Sequence, residues 1–462
     1  MENKNNVQIL VVPYPMQGHV IPMMKLSESI ANHGIKVTIV ITEHNYKGMV
    51  SHSMIDLRDE EKTRKVRLVT VPDGLEPDDD RKDHSRVAES VTRVMPGHVY
   101  EIIKKKTERQ GQNCNFTCMI ADPVFGWAPN FAEEIGIKLG VFWSSSPGAL
   151  ASTLIIPQLL KSGFIDQQGK PLKKEAIELL PNIPNMGPEE LPWYNNHESV
   201  FGNNQMFNTF RTSEHVLKRA KWVLCNWFKD ITPPSDTSIP VNILPIGPLL
   251  ANTAPGETLY PEDSTCLMWL DQQPSKSVIY VAFGSILSLT QTQLTELAHG
   301  LELTGRRFLW AVRADMSNQN VVQLPDGFEA RIANCGKLVE WASQEKVLAH
   351  PSIACFLTHC GWNSTMEGLS HGVPFICWPC FADQPYTRTC ICESWKIGLS
   401  LVSRENKGVV CANDVRSKID ELLSREDLMK NCVKFKECVR TCVAQGGSSF
   451  VAMQGFIEEV QS

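Results

Sequence analysis

Residues 341–384 read WASQEKVLAHPSIACFLTHCGWNSTMEGLSHGVPFICWPCFADQ. The apolar run 354–358 has the length and composition of a buried strand. The chain then turns through His359, Cys360, Gly361 and Trp362 into a helix expected to begin near Asn363 and Ser364. A second apolar run, 374–378, follows. Strand, turn, helix and strand in this order build a parallel sheet. The first N–H groups of such a helix have no intrahelical acceptor, and its dipole end is positive. The turn is therefore an anion site, to which His359 can add a donor. Two ordinary readings compete here. Ser364-x-x-Glu367 also fits a capping box, and a tryptophan such as Trp341 is most often core.

The same alternation extends in both directions. Downstream of residue 265, strands are expected at 277–283, 308–312, 337–340 and 397–401. A helix at 290–305 places Leu294, Leu297, Ala298 and Leu301 on one face. Thr290-x-x-Gln293 opens it as a capping box and Gly305 ends it. Upstream, strands are expected at 7–14, 36–42, 66–71, 118–122, 138–142 and 222–226, the last closing the series. Helices at 22–33 and 127–135 lie between them. Between them and the second series, Pro245, Gly247, Pro248, Pro255, Gly256 and Pro261 break the periodicity, as an interdomain linker does. The tail after Gly446 and Gly447 is a last helix, 450–460. The fold class is α/β, with a first domain at 1–248, a linker at 249–265 and a second domain at 266–445. The closing helix, 446–462, is expected to pack back on the first domain. Ligands of open parallel sheets bind beyond the carboxyl ends of the strands. The loops after Tyr14, Asp122, Phe283, Thr358 and Trp378 therefore matter most, and a cleft between the sheets is the expected site.

Composition removes other classes. The chain has 462 residues, 42% hydrophobic and 21% charged, which suits a globular protein of two or three domains and no disordered or fibrous chain. Lys+Arg of 45 against Asp+Glu of 51 leaves a net charge of -6, with no basic footprint for nucleic acid or a membrane surface. No stretch approaches the roughly 20 apolar residues of a membrane span, and no secretory signal is read at the N-terminus. A monomeric cytoplasmic protein is expected. Its 15 cysteines would then be reduced and mostly buried. Cys377-Trp378-Pro379-Cys380 can be read as a redox pair, but two structural thiols fit its place in the chain better. No phosphate-loop motif, G-x-G-x-x-G after a strand, H-E-x-x-H or G-x-S-x-G occurs.

The segment 341–384 resembles the signature box of plant UDP-dependent glycosyltransferases of secondary metabolism. The His359-Cys360-Gly361-Trp362-Asn363-Ser364 core, Glu367, Gly372-Val373-Pro374 and Asp383-Gln384 stand in that family's spacing. The resemblance implies a GT-B fold, two Rossmann-like domains facing a cleft, with the UDP-sugar held by the second. It implies Trp341 under the uracil ring, the Ala342 backbone on the base, and Gln344 on base or ribose. It puts His359, Trp362, Asn363 and Ser364 at the phosphates and sugar, and Glu367 at the ribose hydroxyls. Gly284 and Ser285 match a Gly-Ser turn on a phosphate. Ser144 matches a position touching the donor sugar. Asp383 and Gln384 match groups on the sugar hydroxyls, although Pro385 makes a helix cap the plain alternative. A final Gln goes with glucose donors in this family. Ser343 stands where the family usually has Pro, and Thr387 where Asn is frequent.

Sugar transfer to a hydroxyl needs a base, and a histidine with an unperturbed pKa near ~6.5 suits neutral pH. His19, in the loop Pro15–Pro22 with Gly18 before it, is the candidate. Asp122, at the end of a strand that can neighbour the first, would stand behind it as an orienting carboxylate. Both match the family's catalytic pair. The expected reaction is one displacement at the anomeric carbon of UDP-glucose, inverting to a β-glucoside, with no metal or other cofactor. Transfer to a carboxylate, giving a glucose ester, and a non-catalytic nucleotide-sugar-binding protein are the alternatives. The acceptor pocket is expected from regions 49–80 and 154–204, with Phe125, Trp193 and Tyr194 favouring a small, partly aromatic or lipophilic hydroxylated acceptor. Core packing is the equal alternative for those three.

Overall fold

The structure is a computed structural model and describes residues 7–52, 66–81, 83–110, 116–179, 183–194, 203–231, 241–250, 263, 265–284, 289–312, 323–401 and 409–462. Most of the expected linker, 251–262 and 264, lies outside the described residues. The chain forms two units, residues 1–260 with 442–462, and residues 261–441.

The first unit carries a seven-stranded parallel sheet. Its strands are β1 Gln8–Val12, β2 Lys36–Thr42, β3 Val66–Val71, β4 Cys118–Ala121, β5 Lys138–Trp143, β6 Trp222–Cys225 and β7 Ile243–Pro245. They lie in the order β3-β2-β1-β4-β5-β6-β7. The central strands QILVV, CMIA and WVLC are buried along their whole length. Continuous apolar runs are what a parallel sheet covered on both faces requires. β7 extends the sheet beyond the strand expected to close it. It is a three-residue edge strand ending in Pro245, and an edge is where a residue without an N–H is tolerated. That proline made the segment read as linker.

The second unit carries a six-stranded parallel sheet. It comprises β8 Val278–Ala282, β9 Arg307–Ala311, β10 Gly336–Val339, β11 Ile353–Thr358, β12 Phe375–Cys377 and β13 Gly398–Ser400. Their order is β10-β9-β8-β11-β12-β13. Counted within its own unit, each sheet therefore begins with its third, second, first and fourth strands. The chain steps outward in one direction, then returns to the middle and continues in the other. This reversal creates a crevice at the carboxyl ends of the first and fourth strands, where doubly wound folds bind ligands.

Helices cover both sheets. Gln291–Thr304 starts at Thr290, whose hydroxyl accepts from the Gln293 amide while Gln293 reaches back, and ends at Gly305 with φ 61. The capping box and the left-handed stop are those expected from the sequence. The last helix, Ser448–Gln461, buries Met453, Phe456, Ile457 and Val460 in the core of the first unit. Phe456 meets Trp222 edge to face at 5.3 Å. The Trp222 indole N–H donates to Glu459 at 2.7 Å. Among the described residues, no helix is long and apolar enough to cross a membrane.

The tail therefore completes the first unit's core. Phe456→Ala removes a ring that is 1% exposed, and is expected to cost about 3–5 kcal/mol. Urea unfolding followed by the fluorescence of Trp222 would measure it; a midpoint equal to wild type would show the tail to be dispensable.

Candidate functional site

At the reversal point of the first sheet, β1 and β4 run side by side, with Val12 paired to Ala121. The Asp122 amide continues the ladder by donating to the Val12 carbonyl at 3.1 Å. Asp122 is thus fixed at the sheet's carboxyl edge. The chain leaving β1 turns at Met16, whose carbonyl accepts from the amides of both His19 and Val20 at 2.9 Å. The helix Gln17–Asn32 therefore begins five residues earlier than Pro22, which sits inside it. His19 belongs to the first turn of this helix, not to a loop as the sequence suggested. Its Nδ1 lies 2.6 Å from Asp122 Oδ2. The other carboxylate oxygen accepts from the Val124 amide at 3.2 Å. The Asp122 side chain is 1% exposed and that of His19 is 32% exposed. A carboxylate can only accept from a neutral imidazole if Nδ1 carries the proton. That tautomer leaves the Nε2 lone pair as the basic site.

The second sheet repeats the arrangement. β8 and β11 are neighbours, with Ala282 paired to Thr358, and each opens into a tight turn. Gly284 has φ 74 and Cys360 has φ 65, left-handed values that cost a non-glycine residue roughly 1 kcal/mol or more. The His359 ring fills the space between the two turns. A Cβ on Gly284 would come within 2.7 Å of its Nε2, and one on Gly361 within 2.4 Å. Burial pulls the His359 pKa down to about 4, opposed by its hydrogen bond to the Ala282 backbone. The ring is uncharged at neutral pH and serves as a hydrogen-bonding group.

The helix after β11 runs Trp362–His371 with Gly361, which has no side chain, as its N-cap. Ser364 and Glu367 lie within the helix, so Ser364-x-x-Glu367 is no capping box. Instead both side chains take hydrogen bonds from the Gln344 amide nitrogen, at 2.8 Å to Ser364 Oγ and 2.7 Å to Glu367 Oε2. Asn363 is half-buried beside them. Trp362 is buried and packs on Trp395 at 6.4 Å, so its indole is a core group and its backbone faces the helix start.

Trp341 is half-buried, unlike a core tryptophan, and Ala342 beside it is buried. Ser343 has φ -67, the value a proline ring would impose. The backbone at this position is thus one that a proline ring could adopt. Asp383 precedes the helix Gln384–Thr389 and makes no side-chain cap, so the capping alternative fails there too. Gln384 is anchored: its Oε1 accepts from the Cys380 amide at 2.9 Å and the Phe381 amide at 3.1 Å. Its carboxamide is thereby oriented oxygen inward, with the NH₂ as the remaining donor. Nothing in the local residue spacing signals those two loop amides. Thr387 is 0% exposed, and among the described residues its hydroxyl has no partner. Ser144 is half-buried immediately after β5. Ser285 lies outside the described residues.

Of the three expected acceptor residues, two are core. Phe125 is buried between Tyr14 at 6.1 Å and Trp127 at 5.4 Å. Trp193 is buried against Phe207 and Phe210, with its indole N–H donated to the Gly169 carbonyl at 2.9 Å. Core packing accounts for both. Tyr194 is half-buried. Parts of the loop regions meant to form the pocket, 53–65, 180–182 and 195–202, lie outside the described residues. Burial raises the Cys377 thiol well above its usual range and pushes Cys380 up to about 12, so neither is a ready thiolate for redox exchange.

Two consequences can be measured. The unfolded-state imidazole of His359 titrates near 6.5 and the folded one near 4. Between those values the unfolded chain binds more protons, so stability falls as pH drops from 6.5 towards 4. A His359→Asn variant should lose that part of the slope in pH-dependent urea melts; an unchanged slope would place the ring in water. Thr387→Val removes an orphaned buried hydroxyl at nearly constant shape and should raise stability by about 1 kcal/mol. A lower thermal midpoint for this variant would mean that the hydroxyl has a partner.

The family model described as UDP-glucoronosyl and UDP-glucosyl transferase matches residues 209–437. UDP-glycosyltransferase 83A1 of Arabidopsis thaliana is 35% identical, covering 100% of this chain and 99% of that protein. The 7-deoxyloganetic acid glucosyltransferase of Catharanthus roseus is 32% identical, with 98% and 97% covered. Among solved structures, UDP-glucose: anthocyanidin 3-O-glucosyltransferase in complex with UDP superposes with a TM-score of 0.80 at 24% identity, covering 100% of this chain and 99% of that one. Medicago truncatula UGT71G1 complexed with UDP-glucose also gives 0.80, at 23% identity with both chains fully covered, 100% each. These two likenesses establish the fold. With relatives this similar along their whole length, and with both sheets wound in the same order, the chain belongs to the plant UDP-glycosyltransferases, GT-B enzymes that transfer sugar from a UDP-sugar to small metabolites.

Proposed function

We propose that the chain transfers glucose from UDP-glucose to a hydroxyl of a small metabolite in one inverting displacement. The carrying observation is the 2.6 Å bond between His19 Nδ1 and Asp122 Oδ2. With Nδ1 committed to the carboxylate, Nε2 takes the acceptor's hydroxyl proton. The freed oxygen forms a bond to the anomeric carbon as the bond from that carbon to the diphosphate oxygen breaks. UDP departs with the electron pair. Asp122 stabilises the imidazolium that forms and keeps the ring in the reactive tautomer, the orienting logic of a His–Asp pair with the acceptor as nucleophile. A single displacement on an α-linked donor gives a β-glucoside.

For the donor, the reading assigns the diphosphate to the N-terminal turn of the helix Trp362–His371, with neutral His359 as a further donor. The leaving charge is then met by backbone dipoles and hydrogen bonds, and the proposal includes no metal. Glu367, held by Gln344, accepts from the ribose hydroxyls, and the half-buried Trp341 lies on the uracil. The oriented Gln384 amide, with Asp383, addresses the glucose hydroxyls. Two features support glucose: Gln384 itself, and the name glucosyltransferase borne by a relative 32% identical. We take the enzyme to act as a cytoplasmic monomer, in a compartment that keeps its free thiols reduced.

His19→Ala is expected to lower kcat by about 10²–10⁴-fold while leaving UDP affinity within about twofold. Single-turnover assays with UDP-glucose and a panel of phenols, flavonoids, terpenoids and hydroxy fatty acids, with calorimetry for UDP, would measure both. Full turnover in the variant would sink the base assignment, and an α-linked product would sink the single displacement.

A further inference from the structure

We infer that Tyr14 is a positioning residue for the base: its ring, packed edge-on against the His19 imidazole and backed by Phe125, holds that imidazole on the Asp122 carboxylate. The inference rests on the His19–Asp122 reading above. One hydrogen bond between Nδ1 and Oδ2 fixes a distance, but the ring can still swing about that contact. A second contact, from a rigid side chain against the imidazole, sets the direction of Nε2, and Tyr14 is placed to provide it. Its ring centroid lies 5.4 Å from that of His19 at an interplanar angle of 70°, the edge-to-face geometry that aromatic pairs prefer. Phe125, three residues beyond Asp122, lies behind it at 6.1 Å and 60°. Tyr14 is 7% exposed, which gives its ring little room to move.

The backbone around Tyr14 is pinned as well. Its carbonyl accepts from the Met16 amide at 2.8 Å. The Pro15 carbonyl accepts from the side-chain amide of buried Asn45 at 3.1 Å. Tyr14 also feels the other member of the pair: burial first, and then the Asp122 charge, raise its phenol pKa. The phenol therefore stays protonated and adds no competing negative charge beside the carboxylate. One side chain thus touches the base and lies in the field of its partner. The chemistry asked of it is only to be a rigid ring.

Tyr14→Leu should lower kcat by roughly 10–100-fold, the scale of a misplaced catalytic group, with the KM for UDP-glucose unchanged within about twofold. Tyr14→Phe, which keeps the ring, should restore kcat to near wild type. Proton NMR of the His19 ring supplies a readout independent of turnover: its ring-current shift should vanish in the Leu variant and persist in the Phe variant. Tyr14→Met fills similar volume without a ring and replaces the Leu variant if that one melts early; it should behave as Leu does. Wild-type kcat in the ringless variants, or equal impairment of Tyr14→Phe and Tyr14→Leu, would overturn the inference. If His19→Ala keeps full turnover the base reading fails instead, and the NMR comparison still decides whether Tyr14 holds the imidazole.

Discussion

Both halves of the molecule depend on one constraint, the reversal of strand order next to the first strand of each sheet. In the first sheet it makes β1 and β4 neighbours although about a hundred residues separate them, and in the second it does the same for β8 and β11. Parallel register then decides which residues emerge together at the carboxyl edge. Val12 beside Ala121 delivers His19 and Asp122 to one place. Ala282 beside Thr358 delivers Gly284 and His359 to another. The buried carboxylate in the first case would cost several kcal/mol without partners. Its two oxygens are satisfied by His19 and the Val124 amide, so the pair also supports the local fold that presents it.

The same position in the two sheets is put to different chemical use. In the first, a carboxylate and a half-exposed imidazole give a group that can accept a proton. In the second, glycine turns bring backbone close to a histidine that burial keeps neutral. Gly284 and Gly361 let backbone lie directly against the ring, and burial of its nitrogens disfavours the charged form. The division suits the proposed reaction. A base must change its charge during turnover, whereas a donor to a diphosphate works best when its state does not vary with pH.

Much of this was legible from residues alone, for reasons that can be traced. The strands are apolar runs because both faces of a parallel sheet are covered, and composition reports that directly. The capped helix after Thr290 was readable because its start and stop signals are local. What failed was whatever depended on tertiary context. Pro22 looks like a helix start, yet the helix begins at Gln17 because the Met16 carbonyl captures the amides of His19 and Val20. Pro245 looks like linker, yet an edge strand can end in it. Ser364 and Glu367 look like a capping box, yet the helix starts three residues too early for that, and Gln344 bridges them from another element. Trp193 reads equally as pocket wall or as core, and only the tertiary structure shows it buried, with its N–H donated to the Gly169 carbonyl. Local spacing cannot reveal a partner 20 or more positions away.

The mild net charge of -6 acquires a physical meaning in this setting. A basic surface would attract any polyanion and would be screened by salt over about 10 Å. A helix end, two tight turns and a neutral histidine act only at hydrogen-bond range. In the proposed donor site they would read the shape of an anion as well as its charge. In the proposed reaction the donor is therefore selected by geometry, and the affinity for it should depend weakly on ionic strength. The same logic suits the proposed reactive groups, which sit on strand ends and the first turns of helices. Those positions are fixed by the ladders beneath them, so His19 and Gln384 inherit the rigidity of the sheet while the loops beyond remain free to differ between acceptors.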